Sequence, residues 1–255
     1  MFGLEQKLFE QLTRLKEVYN IQGVKAEFEA EGSSFRDLVR LRRLTDKLSI
    51  PLFLKIGGVE ALRDIKDSLE VGAEGLIAPM VESSFGVKKF VDAVDSIYKG
   101  SLIHRSINIE TQGGVCQVDD ILQFAKGRID NITVGRTDLS SSYFDSNILP
   151  DSGYIFGLLK ELGEKIKSTG MTMTVGGSVS KKTVTLFKKN EKDWQELIFR
   201  LETRKVILPF EMMIKKNAIK EALRFEELYI LSKKEISDLF MESETSRLTR
   251  LKMRS

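Results

Sequence analysis

A chain of 255 residues with 42% apolar and 30% charged residues has the balance of a soluble globular protein, and its length suits one (β/α)8 barrel. A net charge of +3 against 40 basic and 37 acidic side chains excludes a surface given over to nucleic acid, and no apolar run approaches the roughly 18 residues of a membrane span. A single cysteine, Cys116, excludes an internal disulfide and Cys-rich metal sites, and a single histidine, His104, excludes a poly-His centre. With a charged first segment that lacks the apolar stretch of a secretory leader, the chain is expected in the reducing cytoplasm, without nucleic-acid or membrane partners.

Residues 3–19 place Leu4, Leu8, Leu12, Leu15 and Val18 at helical spacing. Residues 24–31 then alternate strictly: Val24, Ala26, Phe28 and Ala30 share one face, while Lys25, Glu27, Glu29 and Glu31 share the other. The pattern suits an edge strand with a wet face. It suits equally a barrel strand whose charged face points into the mouth, where burial requires pairing, protonation or a metal. Gly32 and Ser33 break the strand, and Ser34 caps a helix over 35–47. A second strand, PLFLKIGG at 51–58, carries Lys55 near its exit, and helix 59–71 follows. A third runs over 72–80, ended by Pro79, and feeds helix 83–98.

The strand that follows, SINIE, ends in Glu110; helix 118–126 leads to a further strand and turn that carry Asp138. This β-α-β unit delivers two carboxylates to the same end of neighbouring parallel strands, which is the end where α/β folds bind ligands. Two hard oxygen ligands with open positions describe a Mg²⁺ or Mn²⁺ site. His104, at the opening end of its strand, reads as structural. A polar loop at 139–150 is long enough to cover a site. Helix 154–168, strand 171–177 with a glycine pair, helices at 180–189 and 192–201, a last strand at 205–209, and a helical stretch over 211–249 complete the chain. Seven strands alternating with helices predict a parallel sheet, one strand short of a (β/α)8 barrel: either one strand escapes the pattern, or the helix at 3–19 replaces the first β/α element. A flat doubly wound sheet is the alternative. The expected organisation is a barrel domain with its N-terminal helix over 1–209 and a C-terminal helical extension over 210–255.

Three stretches, INIET at 107–111, VGRTDLS at 134–140 and GLIAPMVES at 75–83, give the chain a resemblance to the HpcH/HpaI aldolase and citrate lyase β-subunit family. The resemblance implies a (β/α)8 barrel with a divalent metal, Mg²⁺ or Mn²⁺, on Glu110 and Asp138. It implies binding of a pyruvate-like 2-oxo acid, reversible carbon–carbon cleavage against an aldehyde, and homo-oligomers joined through the C-terminal helices. The family's substrate-binding Arg is replaced by Lys55, and Gly32 stands where its proton-transferring His follows the acidic strand. Lys holds a carboxylate as a point charge, without the bidentate fork of Arg, so Arg136 is the candidate for the fork. The expected activity is thus that of a metal-dependent lyase or aldolase of the class II type, working through a metal-stabilised enolate. Lys55, Gly135, Arg136 and Thr137 would bind substrate, and Glu31, Glu29 or Lys55 would move protons. An acyl-CoA lyase of the citramalyl or malyl type, and a non-catalytic ligand-binding relative, are the competing readings.

Overall fold

A computed structural model describes residues 3–254, so the outermost residues of the spans 1–209 and 210–255 lie outside the described residues. Eight strands close into a barrel in chain order: β1 (Gly23–Glu27), β2 (Leu52–Lys55), β3 (Gly75–Ala78), β4 (His104–Ile109), β5 (Asn131–Gly135), β6 (Thr172–Gly176), β7 (Arg200–Glu202) and β8 (Val206–Pro209). Among the helices, α1 (Gly3–Tyr19) precedes β1, and α2 (Phe35–Lys47), α3 (Leu62–Val71) and α4 (Ser84–Tyr98) follow β1, β2 and β3. Next come α5 (Gln112–Cys116) and α6 (Val118–Ala125) after β4, then α7 (Arg136–Ser141) and α8 (Gly153–Thr169) after β5. The last are α9 (Lys181–Lys188) and α10 (Glu191–Leu197) after β6, and α11 (Phe210–Met213) and α12 (Ala218–Lys252) after β8.

The barrel is therefore the one the sequence implies, with an eighth strand that the sequence pattern hides. Residues 192–201 are not one helix: α10 stops at Leu197, and β7 occupies Arg200–Glu202. Strands β1 to β7 pair in parallel, but β8 is antiparallel to both β7 and β1, which corrects the expectation of an all-parallel sheet. A tight turn at Arg204 and Lys205 joins β7 to β8, closed by Thr203 N–H donating to Val206 O at 2.9 Å and Val206 N–H donating to Thr203 Oγ1 at 3.1 Å. The three residues between the strands, 203–205, leave no room for a crossover helix, so the chain folds straight back.

The outer faces of the strands are apolar and pack beneath the helices in one continuous core. Inside the barrel, the lower end is closed by Phe53, Ile77 and Ile207. Phe53 fits because its neighbours across the strands are glycines: a Cβ on Gly75 would lie 2.2 Å from its ring and one on Gly23 2.6 Å. Gly75→Ala is expected to cost about 1–3 kcal/mol through overpacking. An unchanged urea midpoint would show that the ring relocates freely.

α12 runs antiparallel to α1 and is tied to it by Gln11 Nε2 donating to Glu221 O at 2.9 Å and by an Arg14–Glu221 ion pair at 3.2 Å. Its buried positions end at Ser232; beyond them Leu239, Phe240, Met241, Leu248 and Leu251 stand exposed. No described helix is long and apolar enough to cross a membrane.

Candidate functional site

The C-terminal ends of the parallel strands surround a cavity of about 380 Å³. The alternation read in β1 places Lys25 and Glu27 there, both 6% exposed, and Glu202 of β7 completes a charged layer beneath the mouth. Lys25 Nζ lies 2.5 Å from Glu202 Oε1 and 3.5 Å from Glu27 Oε1. Burial alone would push the Lys25 ammonium down. The carboxylates of Glu202 and Glu27 outweigh it and hold Lys25 above the usual lysine range. Burial would likewise raise Glu27, but Lys25, Lys55 and Arg204 prevail and hold its carboxyl below the ordinary value. Its contribution to stability is therefore full above about pH 4.3, the value for an unfolded chain, and is lost as pH falls through the depressed folded value. Glu27→Gln should make the acid side of the stability curve shallower, as read from urea midpoints at a series of pH values; parallel curves for the two proteins would refute the assignment.

Glu110 stands just past β4 and is 2% exposed. Met80 N–H donates to its Oε1 at 3.1 Å, Asn108 Nδ2 donates to its Oε2 at 3.0 Å, and Lys55 Nζ lies 3.4 Å from Oε1. Gly135 makes room for it: a Cβ at that position would lie 2.5 Å from Glu110 Oε2. Asp138, in the first turn of α7, is exposed to the same cavity, and its carboxylate makes no hydrogen bond or ion pair among the described residues. Thr137 Oγ1 and Ser178 Oγ, 2.9 Å apart, line the rim beside it.

Of the residues singled out from sequence, Lys55, Glu110, Gly135, Thr137 and Asp138 meet in this cavity. Three others do not. Arg136 opens α7 and is fully buried, and its donors are taken by Gly176 O, Gly177 O, Pro150 O, Asp151 Oδ1 and Thr183 Oγ1, so no fork is left for a substrate. Glu31 and Glu29 lie outside the cavity lining because β1 ends at Glu27 and the chain turns over 29–32. Glu31 instead pairs with Lys205, and Glu29 is exposed. The loop after α7 does not roof the cavity; Arg136 pins it at Pro150 and Asp151.

The sequence reading missed four participants: Asn108, Glu202, Arg204 and Glu226, which all line the cavity. Asn108 is two positions before Glu110 on β4, and period two alone puts the pair on one face. Glu202 and Arg204 sit on and beside the unrecognised strand. Glu226 comes from α12, which reaches across the mouth.

Among the described residues, no three His, Cys, Asp or Glu side chains come together as a metal centre. The donor chemistry nevertheless fits a hard cation that draws further ligands from water and substrate. Asn108 Oδ1 is buried without a partner beside Glu110, Asp138 is unpaired, and five lining carboxylates against three lining cations leave two negative charges in excess.

Solved structures share this barrel at low identity. One is an HpcH/HpaI aldolase from Desulfitobacterium hafniense DCB-2, at 14% identity and a TM-score of 0.61, over 80% of this chain and 83% of that one. Another is an HpcH/HpaI aldolase/citrate lyase family protein from Burkholderia cenocepacia J2315, at 15% and 0.59, over 80% and 93%. A variant of the citrate synthase SbnG gives 19% and 0.58, over 78% and 81%. These likenesses speak for the fold alone. No curated protein matches the chain significantly. The HpcH/HpaI aldolase/citrate lyase family matches residues 54–145, the segment that carries Lys55, Glu110 and Asp138, and with it the resemblance read from the three sequence stretches stands.

Proposed function

We propose that the protein is a divalent-metal-dependent carbon–carbon lyase or aldolase that acts on a pyruvate-like 2-oxo acid. The observation that carries the reading is the convergence of Glu110, Asp138 and the orphaned Asn108 Oδ1 on one cavity that also holds the Lys55 ammonium. Glu110 and Asp138 would hold Mg²⁺ or Mn²⁺, which would supply Lewis-acid stabilisation of negative charge developing on the 2-oxo oxygen. Lys55 offers a point charge to the substrate carboxylate. The Thr137 and Ser178 hydroxyls are placed to donate to it, and Gly135 leaves room for the Glu110 carboxylate beside it. The Lys25, Glu27 and Glu202 layer keeps fixed charges beneath the site, so the field there needs little rearrangement during reaction. The single free Cys116 suits a reducing cytoplasm.

Proton–deuterium exchange at the pyruvate methyl group, followed by NMR with Mg²⁺ or Mn²⁺ and then with EDTA, tests the reading. Metal-dependent exchange supports it; no exchange by metal-loaded protein sinks it. An acyl-CoA lyase is the second reading. A groove between α1 and α12 shares Leu223 with the cavity and carries Arg14 and Arg224, paired with Glu221 and Glu227, together with Lys181 and Lys220, whose ammonium groups suit a phosphate-bearing tail.

A further inference from the structure

The lyase reading leaves one role open, since cleavage needs a group that takes a proton from the substrate hydroxyl and the two glutamates named for it from sequence lie outside the cavity. Five carboxylates line the cavity. Glu27 and Glu202 are committed to Lys25, and Glu110 accepts from Met80 N–H and Asn108 Nδ2 and faces Lys55. Asp138 belongs with Glu110 on the cation. The carboxylate of the remaining one, Glu226, makes no hydrogen bond or ion pair among the described residues. His104 is no alternative: it sits at the opposite end of β4, against the Phe53 ring and 3.7 Å from Asp130.

We propose that Glu226 of α12 is the general base and acid of carbon–carbon cleavage. Its place in the barrel suits the division of labour. The ring order β1 to β8 puts Glu110 and Asp138, at the exits of β4 and β5, across the mouth from the β7–β8 turn over which Glu226 lies. A 4-hydroxy-2-oxo acid anchored at its 2-oxo end beside Glu110 thus extends its hydroxyl end towards α12. The Glu226 carboxylate takes the proton of the C4 hydroxyl. The C3–C4 bond breaks, its electron pair passes to C3 and on to the 2-oxo oxygen, and the aldehyde departs. Glu226, now a carboxylic acid, returns the proton to C3, which leaves pyruvate and the original carboxylate. The groups that act on Glu226 come from several elements: Arg204 and Lys205 from the β7–β8 turn, Glu31 from the loop after β1, and Lys25 from β1. Burial raises its carboxyl above the ordinary value and Glu31 adds to this, against the pull of Arg204, Lys205 and Lys25. A raised carboxyl is better matched to proton exchange near neutral pH.

This inference rests on the lyase reading, and two substrates separate their failures. Oxaloacetate loses CO₂ to reach the same carbanion with no hydroxyl proton to remove, whereas 4-hydroxy-2-oxopentanoate requires that removal. In metal-loaded Glu226→Gln, the ratio of cleavage to decarboxylation should fall by about 100-fold or more. The acidic limb of the wild-type cleavage profile should vanish with it, and Glu226→Asp should recover part of the ratio. Equal loss of both reactions, or an unchanged ratio, would overturn the assignment. Wild-type protein inert towards both substrates would overturn the lyase reading and take this inference with it.

Discussion

Glu110→Gln is expected to lower metal-dependent exchange at the pyruvate methyl group by on the order of 10³-fold, about 4 kcal/mol of barrier, with the barrel still folded. The fold survives because a glutamine oxygen still accepts from Met80 N–H. The amide placed opposite Asn108 would then meet a donor, but Asn108 can rotate and present Oδ1, which has no partner in the native arrangement. The activity falls because the neutral side chain loses the charge that holds the cation, while Lys55, 3.4 Å away, keeps its own. Two readouts check this: Mn²⁺ binding by electron paramagnetic resonance, which should weaken sharply, and the thermal midpoint, which should move by only a few degrees. Exchange at the wild-type rate would remove Glu110 from the metal site.

Arg136→Met should destabilise the protein by about 3–5 kcal/mol, the range for breaking a buried charge pair from one side. The loss would leave Asp151 Oδ1 without its guanidinium at 2.7 Å and strip donors from Gly176 O and Gly177 O. Those two carbonyls belong to the glycine pair that ends β6, where Gly177 has φ of +76° and an added Cβ would lie 2.5 Å from Thr137 N. Arg136 therefore clamps the end of β6 to the start of α7, and with it the turn that aims Asp138. Urea denaturation measures the effect. A midpoint within experimental error of wild type would return Arg136 to the substrate.

The contrast between Arg136 and Glu110 shows what sequence pattern can carry. Glu110 ends an apolar run with period two, so its strand, its end of the strand and its inward face all follow from local spacing. Arg136 sits in an equally suggestive motif, yet its role is set by Asp151 and by carbonyls at 176 and 177, which no short-range pattern connects to it. The same limit explains β1. Alternation placed Lys25 and Glu27 inside the barrel, but it continued past Phe28 in sequence after the backbone had turned away, and so it promoted Glu29 and Glu31. β7 has three residues, too few for a period to show, and the turn after it uses Arg204 and Lys205 where the usual glycine or asparagine would have marked a hairpin. Once that strand was hidden, the helix following β8 read as an appendage, and Glu226 went unnoticed.

The reversal of β8 also decides which way the chain's last helix points. A strand running downwards delivers the chain to the closed end of the barrel, so α12 must climb. It passes the mouth at Leu223 and Glu226, and the residues after Ser232 extend about 30 Å beyond it at 1.5 Å per residue. α1, antiparallel to α12, begins on the same side. A label or surface tether fused at either end would therefore hang over the cavity mouth and crowd whatever enters it. Attachment chemistry meant to leave the opening clear belongs at the far pole, on the segment between α4 and β4, where Leu102 is fully exposed.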